Sequence, residues 1–319
     1  MAKEKKPNPD SRKAPAAPVR KSRARLWLKG MLLVALLIGG GVGYCRMRDY
    51  VDQKLTFPVE PPRVVLVNKP PWMSDFLAGQ IVGSVQPATT ESALRRELLE
   101  NVYGILKKNP WIKEVRQVRR AYGQKPGDTI EVDCDYRAPM ALARYREVYA
   151  LVDGEGIKLP ELFTAAQVPG IMFGRDRRVN IRVIEGVVSP PPDPGHKWDS
   201  PDLAAGLELA RLLSGQPYAE EIHTIQVRNF KGRVDPKEAE LVLVTRDGTQ
   251  VRWGRAPNAP GALVEVPWQE KLKTMDRIVQ KYHRIDAGHS AVDIRFDWVT
   301  FPSEDLVPGE RSAGLRQDP

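Results

Sequence analysis

Apolar positions run almost unbroken from Leu26 to Cys45, with Lys29 as the single charge inside the run. As a helix those 20 residues reach roughly 30 Å, the thickness of a bilayer's hydrocarbon core. Lys29 lies near the amino end, where its stem can snorkel, and Trp27 and Tyr44 fall at the two interfaces. The pattern predicts a transmembrane helix over 26–45. Residues 46–62 lack helical periodicity and end in Pro61 and Pro62, which predicts a short extended stalk.

Beyond the stalk the periodicity changes repeatedly. A strand is predicted over 63–68, a helix over 75–85 and a turn over 86–90. A longer helix follows over 92–108, its apolar stripe made by Leu94, Leu98, Leu99, Val102, Ile105 and Leu106 and its cap by Ser92. Alternation predicts strands over 115–121 and 129–136, the second with Ile130, Val132, Cys134 and Tyr136 on one face. That is a β, α, α, β, β unit in a first domain, 63–146.

The second domain, 147–301, opens with a hairpin of 148–152 and 157–159 around Asp153-Gly154-Glu155-Gly156. A strand at 182–188 precedes four prolines between Pro190 and Pro194, which exclude helix and central strand alike. A helix over 202–214 buries Leu203, Leu207, Ala210 and Leu213. Strands follow at 222–227, 240–245 and 250–253, the last two joined through Arg246-Asp247-Gly248. A helix over 268–282 and a final strand over 291–301 complete an α+β chain: a mixed or antiparallel β domain with packed helices. Residues 302–319 are too poor in apolar groups to fold.

Charge then sets the topology. The chain of 319 residues carries 49 Lys and Arg against 40 Asp and Glu. Ten basic and two acidic groups lie in residues 1–29, so +8 of the +9 sits there, and the remaining 39 basic and 38 acidic groups leave +1. A nearly neutral folded body excludes a basic globular nucleic-acid binder. The tail, residues 1–25, reads as disordered and cytoplasmic by the positive-inside rule, placing everything after Cys45 across the membrane. A cleaved signal peptide would use Gly41 and Gly43 before its cut, but its charged region would be unusually long. Lipid attachment at Cys45 needs a small residue where Tyr44 stands. The spacing of Ala35, Gly39 and Gly43 is common in membrane helices and specifies no partner.

Little in the sequence predicts catalysis. His196, His223, His283 and His289 are scattered, and two cysteines make no metal set. Cys134, in an alternating stretch, reads as a small buried residue. Asp133 and Asp135 share a strand face, as do Asp293 and Asp297, but no third ligand is placed beside them, and a charged outer face accounts for them. There is no G-x-S-x-G, H-E-x-x-H or glycine-rich phosphate loop. The chain is therefore read as a non-enzyme with no cofactor, no metal and no small-molecule substrate.

Several segments are familiar together. Asn109-Pro110-Trp111-Ile112-Lys113-Glu114-Val115 with Val118-Arg119-Arg120, then Thr129-Ile130-Glu131-Val132 and Arg137-Ala138-Pro139-Met140-Ala141, resemble the POTRA domain of the FtsQ/DivIB family of bacterial division proteins. Tyr149 to Gly156 is similar to that family's "aVD.eG" hairpin, and Val183-Ile184-Glu185-Gly186 to its "P.i.G" strand. Residues 247–254 are similar to its strand pair ending in "LG", and Ala291-Val292-Asp293-Ile294-Arg295-Phe296 to its "yvDlRy" strand. Each motif is weak alone, but six in order on a chain with one span form a joint signal. The chain departs from the family pattern in the proline-bearing segment 69–87, at Tyr136-Arg137, and in the loop 190–194.

The resemblance implies a scaffold of the septal cell-division machinery in the inner membrane. Its partners would be FtsB/DivIC-like and FtsL-like bitopic proteins that add a strand to a sheet edge. On this sequence the implied contacts are Arg295, Phe296, Trp298, Val299 and Phe301. Alternation sets Asp293, Arg295, Asp297 and Val299 opposite Ile294, Phe296 and Trp298. A second implied contact face is Val118, Arg119 and Arg120, though Arg119-Arg120 also suits a charged edge that discourages aggregation. The alternatives are a POTRA-containing envelope transport or assembly module, which would carry barrel strands, and a membrane-anchored hydrolase, which would need a catalytic constellation.

Overall fold

The computed structural model describes residues 23–55, 61–87, 96–122, 126–173, 180–260 and 265–301. The predicted turn at 86–90, the Ser92 cap, Leu94 and both terminal tails lie wholly or partly outside them. The chain divides into two compact units, residues 1–60 and 61–319.

Among the described residues of the first unit, helix α1 (Arg23–Leu55) contains one stretch, Trp27–Val51, long and apolar enough to cross a membrane. The helix does not stop at Cys45. It runs 10 residues further, so most of the predicted extended stalk is helical. No proline or glycine stands between Cys45 and Leu55, and Arg, Met, Gln, Lys and Leu all favour helix. The first proline after the span is Pro58.

The second unit begins with a three-stranded sheet. Strand β1 (Arg63–Leu66) leads into helices α2 (Asp75–Val85) and α3 (Arg96–Lys107), then β2 (Ile112–Tyr122) and β3 (Pro126–Tyr136). The strand order is β1-β3-β2, with β1 parallel and β2 antiparallel to the central β3. Ser74 caps α2, its Oγ accepting from the Leu77 N–H at 3.1 Å. Leu98, Val102 and Leu106 of α3 are buried, while Ile105 turns outward. Inside the sheet Ile130, Val132 and Cys134 are fully buried. Asn68 extends the ladder after β1 ends: its side chain donates to the Cys134 carbonyl (2.6 Å) and accepts from the Cys134 N–H (3.3 Å).

The remaining strands form one eight-stranded sheet. They are β4 (Pro139–Tyr145), β5 (Val148–Asp153), β6 (Lys158–Thr164), β7 (Arg182–Glu185), β8 (Ile222–Gln226), β9 (Leu241–Thr245), β10 (Gln250–Gly254) and β11 (Ala291–Asp293), ordered β11-β10-β9-β8-β7-β4-β5-β6. Strand β4, over residues for which no strand is predicted and which the boundary at 146 leaves in the first domain, pairs with β5 and β7, so the chain changes sheets at Arg137-Ala138. The parallel pairs β7-β8 and β10-β11 are each bridged by a helix, α5 (Pro201–Ser214) and α6 (Trp268–Tyr282). A short helix α4 (Val168–Phe173) and one 3-10 turn at Phe230–Gly232 complete the elements of the described residues; both are too brief for a periodicity to announce them.

Helices α5 and α6 cover one sheet face. Leu203, Leu207, Leu209, Ala210 and Leu213 of α5 are buried against β4, β5, β7 and β8, each leucine contributing about 1.5–3 kcal/mol. Gly206 lets α5 lie close: an added Cβ would stand 2.9 Å from Ile184 Cγ2. On the other face Leu142, Tyr149, Leu151, Leu159 and Val183 share one buried cluster with Trp111, Ile130 and Val132 of the small-sheet unit. Ion pairs bolt the same junction. The Arg137 guanidinium donates to Asp153 (2.8 Å) and Glu155 (3.2 Å), and Lys113 reaches Glu155 at 2.5 Å.

Candidate functional site

The sequence-predicted contacts around 295–301 stand at one edge of the large sheet. Strand β11 is its terminal strand, parallel to β10, with Gln250 opposite Ala291, Val251 opposite Val292 and Arg252 opposite Asp293. The predicted strand over 291–301 is corrected here: it ends at Asp293, and residues 295–298 bend. Thr300 then returns antiparallel to Asp293, with two main-chain hydrogen bonds of 2.8 and 3.2 Å. The stop has a local cause. The Asp293 carboxylate accepts from the Arg295 N–H at 3.1 Å, so the side chain offers the backbone a turn in place of the next ladder bond.

The bend redistributes the faces assigned by alternation. Asp293 and Ile294 are both buried, at 4% and 0% exposure. Phe296 and Trp298, expected side by side on a strand, stack on each other across the bend, with ring centroids 5.8 Å apart and planes 20° from parallel. Trp298 is 64% exposed. Val299 and Phe301 pack against the main core, and Phe301 also stacks on His289 at 4.1 Å. Because Thr300 makes both bonds to Asp293, antiparallel geometry turns the main-chain groups of Val299 and Phe301 away from β11.

Arg295 points inward. Its guanidinium forks onto the Asp293 carboxylate at 2.7–3.1 Å and donates to the Lys237 carbonyl at 2.9 Å. That hydrogen bonding holds the guanidinium more firmly protonated than usual. Its carbonyl accepts from the Val266 N–H at 2.9 Å. Next to it Lys271, 3% exposed, donates to the Trp253 carbonyl (2.7 Å) and to Glu265 (2.8 Å), and burial pushes its pKa down. A small cleft of about 190 Å³ beside Lys271 is walled by Pro257, Pro260, Pro267 and Trp268. Lys271 and Glu265 bind each other there.

The second predicted group lies elsewhere, on the small sheet. Val118, Arg119 and Arg120 are on edge strand β2, opposite Val132, Glu131 and Ile130. Val118 packs on the core beneath it, and Arg119 pairs with Glu131 at 2.7 Å. On β3, Asp135 pairs with Arg116, and among the described residues no group of three or more His, Cys, Asp and Glu side chains could hold a metal. Cys45 and Cys134 are free thiols.

Sequence reasoning missed Asp293 as the organiser of the edge, and His289, Lys237 and Val266 as its supports. The Asp-x-Arg spacing was the available signal; His289 lies just before β11, while Lys237 and Val266 come from loops far away in sequence. The chain matches neither a family model nor a curated protein.

Proposed function

We propose that this chain is a non-catalytic, single-span scaffold of the bacterial division septum, similar to FtsQ/DivIB, which captures a strand of an FtsB/DivIC-like or FtsL-like partner. The observation that carries the reading is the returned edge at Asp293 and Thr300. It leaves main-chain groups of Val299 and Phe301 outward, beside a stacked aromatic pair with Trp298 exposed. Main-chain hydrogen bonds would supply affinity and the aromatic surface specificity. The order of features supports it as well: an apolar helix at the amino end, then a β-α-α-β-β unit resembling a POTRA domain, then a larger sheet. In this reading the basic tail is cytoplasmic, and both sheets lie outside the membrane.

The test is co-purification of the full-length chain with the FtsB-like and FtsL-like bitopic proteins of its own genome, followed by titration in nanodiscs. Binding is expected, and Trp298→Ala should weaken it about 30-fold, as for a central aromatic anchor worth about 2 kcal/mol. Absence of binding, or a Trp298→Ala affinity equal to wild type, sinks the proposal.

A further inference from the structure

Resting on that reading, we infer that Asp293 and Arg295 act as a positioning clamp. They set the aromatic pair and the return strand in place for the partner, and Arg295 offers the partner no charge contact. Three distant segments meet at this pair. Arg295 holds the loop before β9 through the Lys237 carbonyl and the loop before α6 through the Val266 N–H. Asp293 holds the return strand through both of its main-chain bonds to Thr300. Between them the carboxylate takes the guanidinium fork and the Arg295 N–H together.

The side chains are 5% and 12% exposed, so a partner laid along the edge meets little of either. What it meets is what they hold. The Arg295 guanidinium carbon lies 5.1 Å from the centre of the Phe296 ring, and that ring in turn stacks on Trp298. A planar fork on a carboxylate also fixes direction, which a lysine ammonium at the same place does not. A surface arginine serving a partner carboxylate would have the opposite signature, because lysine keeps the charge.

The test uses the full-length chain in phospholipid nanodiscs with the FtsB-like protein as probe. Arg295→Lys, Asp293→Asn and the double variant are compared by titration and by amide hydrogen exchange. Each single variant should weaken binding about ten-fold, the size expected for losing a charged hydrogen bond. The double should be no weaker than the worse single, since both remove one device. Exchange at Asp293 and Thr300 should quicken while β8 amides, far from the edge, keep wild-type protection and report an intact fold. Wild-type affinity for Arg295→Lys, or a double variant about 100-fold weaker by simple multiplication of the singles, overturns the clamp. If the wild-type chain does not bind the probe, the partner reading falls separately. Exchange then decides: unchanged protection at Asp293 and Thr300 in Arg295→Lys overturns the clamp.

Discussion

Replacing Asp202 with asparagine tests how the proline loop is anchored to the large sheet. Asp202 is 2% exposed at the first turn of α5. One carboxylate oxygen accepts from the Ser200 hydroxyl and the Leu203 N–H. The other accepts from Arg233 at 2.7 Å and the Val188 N–H at 3.3 Å. An asparagine can keep its oxygen on only one of these sides. Its NH2 then faces two donors, which loses a charge-assisted bond of about 1.5–3 kcal/mol and strands a buried N–H worth about 1 kcal/mol more. A loss of about 3 kcal/mol follows, at the lower end of what breaking a buried ion pair costs. Trp198 is wired to the same knot, donating to Ser189 Oγ at 3.2 Å, so its fluorescence should report urea unfolding of the full-length chain in micelles.

Acid adds a second reading of the same variant. The hydrogen bonds from Ser200 and Arg233 outweigh burial and hold the Asp202 carboxyl below its ordinary 3.8. A native pKa below the unfolded one means the unfolded chain binds the proton first. The stabilisation is complete above the unfolded value and is lost as pH falls through the native one. The gap between wild type and Asp202→Asn should therefore shrink below about pH 3.8. A variant within about 0.5 kcal/mol of wild type, the range of ordinary surface changes, or a gap that widens in acid, refutes the reasoning.

Other outcomes are as definite. Gly206→Ala should lower stability by about 1 kcal/mol: the methyl gains about 1 kcal/mol of helix propensity but overpacks stiff Ile184 and Val227 at about 1–3 kcal/mol. A Tm above wild type would contradict the close packing. Cys134, fully buried with its thiol pushed up to about 12 by burial, should resist iodoacetamide at pH 8 in a Cys45→Ser background and react after urea unfolding. Native labelling would refute that burial. Lys271 has a native pKa lowered from 10.5, so its native form releases the proton first and its contribution rises with pH across that interval. Relative to Lys271→Met, wild type should gain stability as pH climbs towards 10.5; a constant difference in pH-stepped unfolding would argue against a charged, buried Lys271.

Most helices and strands were legible because their apolar residues repeat at one period over enough residues. The helix over 75–85 and the one over 268–282 coincide with α2 and α6, and the stripe of α5 is buried as its spacing demanded. Misreadings fall where a local competitor decides. Residues 46–55 stay helical because nothing breaks them, although no apolar stripe marks them. The last strand ends early because one carboxylate turns the backbone, and alternation carries no information about that.

By itself the sequence determined what is local: an apolar stretch of membrane length, a charge excess nearly all in the first 29 residues, and the order of most helices and strands, β4 and the short α4 excepted. Strand pairing was beyond it, because sheet partners are chosen by contacts between residues far apart along the chain. Only the tertiary structure moved β4 into the large sheet and sent Arg295 inward to Asp293 and Lys237. It also left Trp298 as the exposed aromatic of that edge. A guanidinium follows its nearest buried carboxylate, and which carboxylate is nearest is settled only when the chain has folded back on itself.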